Sequence, residues 1–255
     1  MYLNPPIFAN VKQPTTTSTA DSSIRVLLWL SLAHCLNDML QAVVSASYPV
    51  IKDGMSLSFS QIGYIALTYQ ICASVFQPAF GVLFDRYQRP WHLSAGTIST
   101  MIGLILLAFA SSMAALIAAV AFIGLGSSII HPEASRLTHY ASRGRHGLGQ
   151  SIFQVGGNFG GSLGPLLAAA IVAPYGQRYI VVFAGIALIA LLTKGPLMRW
   201  QSVMIKRGAS SPAKRKVTGR VRLSKNRIRF ALGVLLVLIF SKYVYMAALV
   251  EDVLG

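Results

Sequence analysis

The chain has 255 residues, of which 54% are hydrophobic and only 11% charged. An ordinary soluble domain carries about 25% charged residues, so a water-soluble globule is excluded. A formal net charge of +15 would suit nucleic acid, but no stacking aromatics interleave the basic run 206–229 and no groove-reading motif is present. Anionic lipid headgroups, or a plain topology signal, account for it better.

Residues 1–23 are polar and rich in Pro, Thr and Ser, which predicts a disordered tail without a cleaved signal peptide. Seven apolar stretches follow: Val26–Val50, Gln61–Phe84, His92–Ser111, Met113–Leu137, Gly147–Ala173, Tyr179–Leu197 and Arg229–Val250. Each is long enough for a hydrocarbon core of ~30 Å, which takes ~20 helical residues. A backbone in lipid must satisfy its own hydrogen bonds, so these are expected to be helices. The two cysteines, Cys35 and Cys72, fall inside spans. They give neither a disulfide framework nor a metal-binding spacing, and read as small core residues.

Span one carries Ser31, His34, Asp38 and Gln41. His34 and Asp38 are four apart and share a helix face. A carboxylate at that depth is costly and stays ionised only with a partner. The two residues are either proton-exchanging groups or a static hydrogen-bonded pair. Span two holds Gln70, a candidate for lining a cavity, and ends in the charged turn G-V-L-F-D-R-Y-Q-R, residues 81–89. There Gly81 allows helices to approach closely, Asp85 suits a neighbouring helix N-terminus, and Arg86 and Arg89 can pair with Asp85 or with lipid phosphate.

Span four ends G-L-G-S-S-I-I-H-P-E-A-S-R, residues 124–136. His131, Glu133 and Arg136 are expected to cluster near the basic end, with Glu133 and Arg136 three apart and able to pair. They are either gating and coupling charges or a helix-end ion pair, and no metal-ligand set is suggested. Span five reads Q-S-I-F-Q-V-G-G-N-F-G-G-S-L-G-P, residues 150–165. Gln150, Gln154 and Asn158 share one face, lining a cavity or bonding to another helix. Gly156, Gly160 and Gly164 share a nearly opposite face suited to close helix contact. Pro165 then bends the helix or loosens its hydrogen bonds.

After span six comes a long basic connection, and span seven contains F-S-K-Y-V-Y-M, residues 240–246. Lys242 lies too deep to snorkel easily. Asp38 is its natural counter-charge; alternatively, Lys242, with Arg136 as second choice, attracts an anionic substrate. Across the turns, eighteen lysines and arginines fall on the side of the N-terminus and the even-to-odd connections, and two, Lys52 and Arg178, on the other. The N-terminus is therefore expected to be cytoplasmic. The domain plan is a tail at 1–23, a six-helix bundle at 24–198, a basic cytoplasmic linker at 199–228 and a seventh helix at 229–255.

The charged turn GVLFDRYQR resembles the signature between helices two and three of the major facilitator superfamily, and GNFGGSLGP is similar to the fifth-helix motif of its drug/proton antiporters. That motif usually continues with two glycines, where this chain has Ala168 and Ala169. LAHCLNDMLQ, SSIIHPEASR, GRHGLGQSIFQVGGNFGGSLGPLLAA and LIFSKYVYMA resemble a bacterial drug-resistance branch of the same superfamily. The resemblance implies an all-α membrane fold and export of a small anionic phosphonate drug driven by inward proton flow. The candidate site residues read from the chain itself are Asp38, His34, Glu133 and His131 for proton coupling, and Gln154, Asn158, Gln70, Lys242 and Arg136 for the substrate cavity. The resemblance also implies twelve helices in two halves, whereas the sequence stops where helix seven should continue. The chain therefore reads as an N-terminal half plus a partial seventh helix. It is either a secondary transporter or a membrane fragment without transport activity. An intramembrane enzyme is the least favoured reading, since no nucleophile–base or metal constellation is visible. No cofactor is expected, and the partners are a small molecule, protons and lipid.

Overall fold

The structure is a computed structural model. It describes residues 16–206 and, further on, 224, 226–227, 229–230, 233–234, 237 and 241. The chain divides into two units, Met1–Pro212 and Ala213–Gly255. The described residues of the first unit are helical, with no strand among them. In the second, residues 226–227, 229–230, 233–234, 237 and 241 are helical, within or beside the expected seventh span.

The first unit contains six helical stretches long and apolar enough to cross a membrane: Ile24–Gly54, Phe59–Arg86, His92–Phe109, Met113–Ala141, His146–Tyr175 and Gln177–Lys206. They match the first six expected spans in number and order. The first span is built from α1 (Thr16–Ala46) and α2 (Tyr48–Gly54), and the second from α3 (Phe59–Ser74) and α4 (Phe76–Arg86). α5 (His92–Phe109) and α6 (Met113–Ala141) are single helices. The fifth is α7 (His146–Leu167) followed by a wider-wound segment, Ala168–Val172, and the short α8 (Ala173–Tyr175). The sixth joins a tight turn at Gln177–Ile180 to α9 (Val181–Leu192) and α10 (Gly195–Lys206).

Two boundaries differ from expectation. α1 starts at Thr16, inside the segment read as a disordered tail, because a long apolar helix propagates backwards at one hydrogen bond per residue fixed. α10 runs to Lys206, into the expected linker; Leu197 and Gln201 on one of its faces are buried against the bundle, and that burial sustains the helix.

Local chemistry explains the breaks. α3 opens with a capping box: Ser58 Oγ accepts from the Gln61 amide at 3.2 Å while Gln61 Oε1 accepts from the Ser58 amide at 2.8 Å. The second span interrupts at Val75, three residues before Pro78, whose missing N–H removes a rung of the ladder. α7 continues through Pro165 to Leu167, and a wider-wound segment with i to i+5 hydrogen bonding follows at Ala168–Val172. Pro132 likewise sits inside α6, which continues through it. Between spans five and six the chain reverses at Gly176, whose φ of 88° suits glycine. Gln177 Nε2 then donates to the carbonyls of Leu107 and Ala110 at 2.8 and 3.0 Å, satisfying the end of α5.

α1 packs along α7, α5 along α6 and α9, and α3 and α4 against α6. The expected glycine face of α7 is the face against α1. A Cβ at Gly156 would collide with the Ser31 backbone, one at Gly160 with the Cys35 carbonyl, and one at Gly164 with the Met39 carbonyl at 2.7 Å. Without a hydrophobic drive between helices in lipid, such backbone-to-backbone approach supplies the packing energy. A Cβ added at Gly81 would lie 3.8 Å from Pro132 Cβ of α6, an ordinary contact, so the charged turn packs against the fourth span without the close approach expected at this glycine. A core around Leu104, Val120 and Phe183 fills one end of the unit, and a second around Leu30, Leu137 and Leu197 fills the other.

Candidate functional site

Three titratable side chains meet where α1, α6 and α7 converge. On α1, one helical turn separates His34 and Asp38, and His34 Nε2 lies 3.0 Å from Asp38 Oδ2. From α6, His131 Nε2 reaches the other carboxylate oxygen, Oδ1, at 3.3 Å. The two imidazoles stand edge to face, with centroids 5.3 Å apart. Gly157 of α7 closes the cluster from the third side: a Cβ there would meet the His34 ring and Asp38 Oδ2 at 2.8 Å. Only a residue without a side chain leaves room for both.

The orientation of each ring is set by its second nitrogen. His34 Nδ1 donates to the Phe153 carbonyl at 2.9 Å, and the ring stacks on Phe153 with centroids 3.9 Å apart. His131 Nδ1 donates to the Ser127 carbonyl at 3.1 Å, with Ser127 Oγ at 3.2 Å. A carbonyl oxygen only accepts, so both Nδ1 atoms carry hydrogen and both Nε2 atoms face Asp38. The network continues outward. Ser127 Oγ donates to Gln41 Oε1 at 3.1 Å, and Tyr69 Oη on α3 donates to the same oxygen at 2.5 Å. Asn37 Nδ2 donates to Asp38 Oδ1 at 3.1 Å. His34 is buried, whereas the side chains of Asp38 and His131 remain 23% and 28% exposed, so the cluster opens to one side.

Glu133 belongs elsewhere. It lies two residues from His131 on α6, hence ~200° around the helix, and it is fully buried at the basic-turn end. Arg136 grips it with two hydrogen bonds, Nε to Oε2 at 2.9 Å and Nη2 to Oε1 at 2.7 Å. Gln201 of α10 donates to Glu133 Oε1 at 2.8 Å and to the Arg89 carbonyl at 3.4 Å. His92, at the start of α5, approaches with Nδ1 3.9 Å from Oε1 and stacks on Phe84. This second cluster ties α6 to α10 and to the turn after span two.

The expected grouping of His131, Glu133 and Arg136 therefore divides into two sites. The Glu133–Arg136 pair forms as expected. Arg136, considered for substrate, has two of its nitrogens committed to Glu133. Asp85, Arg86 and Arg89 are exposed; Asp85 forms no ion pair among the described residues, and Arg86 lies over the Tyr87 ring. Gln154 and Asn158 are exposed on α7 beside Gly157, and Gln154 Nε2 donates to Asn158 Oδ1 at 3.4 Å. Gln70 is exposed on α3 and donates to Ser74. Lys242, with its expected pairing to Asp38, lies outside the described residues.

The ligand atoms of His34, Asp38 and His131 lie within 4.8 Å of one another, a grouping that sequence spacing does not suggest. The third donor comes from a distant helix, which spacing along the sequence does not reveal. Sequence reasoning also missed Tyr69, Ser127, Gln201 and the buried Lys194, whose ammonium donates to Thr97 Oγ1. Ser127 was within reach of reasoning, since it precedes His131 by four residues and so shares its face.

Six helices long and apolar enough to cross a membrane, packed through glycine contacts around polar clusters, mark a polytopic membrane protein. The Major Facilitator Superfamily profile matches residues 30–255. The chain is 47% identical over 234 residues to the fosmidomycin resistance protein of Escherichia coli (strain K12), covering 92% of this chain and 57% of that protein. It is 39% identical over 212 residues to the MFS-type transporter YfnC of Bacillus subtilis (strain 168), covering 83% and 52%. The solved peptide transporter POT shares the fold at a TM-score of 0.58, with 21% identity, over 86% of this chain and 46% of that one. The chain belongs to the major facilitator superfamily. It spans about half the length of the curated relatives it matches.

Proposed function

We propose that this chain serves in a secondary exporter that moves fosmidomycin, or a similar small anionic drug, out across a bacterial inner membrane in exchange for protons. The relative from Escherichia coli supports the substrate. The observation that carries the proton reading is the meeting of His34, Asp38 and His131. Both Nδ1 hydrogens are already given to carbonyls, and a carboxylate only accepts. Each Nε2–Oδ contact therefore holds only with a proton of its own. With two protons the cluster is imidazolium–carboxylate–imidazolium and draws α1 and α6 together. With none, lone pairs oppose one another and the contact is repulsive. Proton occupancy thereby biases helix position, which is what coupling requires.

Gln154 and Asn158 on α7 and Gln70 on α3 supply polar groups for a solute. The basic turns support a cytoplasmic N-terminus and a cytoplasmic 199–228 segment. A reporter fused after Arg215 is expected to read cytoplasmic, and an external signal there would reverse the orientation.

Alternating access in this superfamily rocks two six-helix halves about a site between them, and the described residues supply one half. In a fosmidomycin-sensitive strain, the 255-residue chain alone is expected to leave tolerance unchanged. Continuing it with the second half of the Escherichia coli relative is expected to raise tolerance to that relative's level. No rise in the completed protein, at normal membrane abundance, would sink the drug-export reading. Resistance from the chain alone would instead make a working self-assembly the leading account.

A further inference from the structure

We propose that His34, Asp38 and His131 form a three-ligand site for a divalent transition-metal ion of the Zn2+ class. The donor set is two imidazole nitrogens and one carboxylate, with all donor atoms within 4.8 Å of one another. Zinc takes such donors at ~2.0–2.2 Å, which places tetrahedral neighbours roughly 3.3 Å apart. His34 Nε2 lies 3.0 Å from Asp38 Oδ2 and His131 Nε2 lies 3.3 Å from Asp38 Oδ1, so an ion between the rings would meet the carboxylate through both oxygens, or through one after a small turn of the group. Zn2+ has no geometric demand from its d electrons, so it accepts donors where the helices put them. Nitrogen donors disfavour Mg2+ and Ca2+, which prefer oxygen.

A second observation points independently to a metal. A histidine that ligates zinc through Nε2 almost always gives its Nδ1 hydrogen to a carbonyl or carboxylate, which fixes the tautomer and the ring. Both histidines do this here: His34 Nδ1 donates to the Phe153 carbonyl and His131 Nδ1 to the Ser127 carbonyl. When either ring is neutral, its lone pair is therefore on Nε2, aimed at the cluster centre. Asp38 Oδ1 is also steadied by Asn37. Three protein ligands leave a fourth position, which falls on the partly exposed side of Asp38 and His131, open to water or an anionic oxygen. An ion there would bridge α1 to α6 and occupy the space of the two bridging protons. It is a competitor at this site, not a resident cofactor.

The test measures binding and not transport, so its failure leaves the export reading standing, and loss of that reading leaves the ion site standing. Purified, tag-free 255-residue chain in detergent or nanodiscs is titrated with Zn2+ alone, and separately with Co2+ while the visible spectrum is recorded. We expect one ion per chain, with intense d–d bands of low-coordinate Co2+ that Zn2+ removes one for one. His131→Gln and His34→Gln are expected to weaken binding at least ~10-fold, the loss that even an outer-shell partner produces. The stacked surface pair His139 and His146, with centroids 3.8 Å apart, is the control. A His139→Asn/His146→Asn chain is expected to bind unchanged. No Co2+ bands in the wild-type chain would overturn the proposal without relying on any variant. So would loss of binding in the surface-pair variant alone, or a sulfur-to-cobalt charge-transfer band placing Cys35 in the site.

Discussion

Asp38→Asn, in the chain completed by a second half, should abolish drug-driven proton movement. The amide matches the carboxylate in volume, so α1 keeps its fit against α6 and Gly157 of α7. What changes is the proton inventory. An asparagine offers one accepting oxygen and one donating nitrogen. With both Nδ1 hydrogens given to carbonyls, its nitrogen can donate to Nε2 of one neutral imidazole, while its oxygen accepts only from a ring that has become imidazolium, so the central group itself takes up no proton and no negative charge holds the bridging protons. The centre of the three-way contact then stops responding to proton supply. In vesicles loaded with a pH dye, alkaline inside and acidic outside, drug addition should produce no proton signal above that of vesicles without protein. Unchanged proton movement would show that Asp38 only orders the bundle. His131→Gln should have the smaller effect, because the His34–Asp38 contact at 3.0 Å survives it.

Arg136→Ala should produce the largest loss of stability of any single change at the basic-turn end. Glu133 is fully buried and is held by two hydrogen bonds from Arg136 and one from Gln201. Removing one partner of a buried ion pair strands the other charge and typically costs about 3–5 kcal/mol. The Gln201 amide alone does not neutralise a carboxylate. Replacing both charges, as in Glu133→Leu/Arg136→Leu, should recover most of the loss, since no charge is then left unpaired. Reversible unfolding in mixed micelles, read as a double-mutant cycle, measures this. A single-mutant cost under about 1 kcal/mol would mean that water reaches Glu133 and that the cluster does not anchor α10.

Much of the fold is legible in the chain because lipid simplifies the physics. A segment that must bond its own backbone and match a fixed thickness announces itself by length and apolarity. The four-residue spacing of Gly156, Gly160 and Gly164 likewise declared a contact face, which the structure places against Ser31, Cys35 and Met39. The site was only half legible. His34 and Asp38 lie on one helix, where a separation of four means contact. His131 and Glu133 are two apart, and closeness in sequence there means opposite faces. Grouping them was a failure of angle, not of residue type. The third member of the cluster comes from α6, and no spacing rule within one helix finds a partner on another. The same holds for Gln201, which reaches Glu133 from α10.

One hydrogen bond has a consequence for how the protein is made. His34 donates to a carbonyl at Phe153, 119 residues further along the chain. At ~5–20 residues per second, the ribosome delivers that partner on the order of 10 s after His34 itself. His131, the other group that engages Asp38, arrives only shortly before. For most of that interval the first span carries an imidazole and a carboxylate with no neighbouring helix to engage them, and hydrocarbon penalises each unsatisfied polar group by several kcal/mol. The first helix to be synthesised therefore meets lipid with only its own His34–Asp38 contact to offset that cost. It waits, within the insertion machinery or beside headgroup water, for the fourth and fifth to claim it.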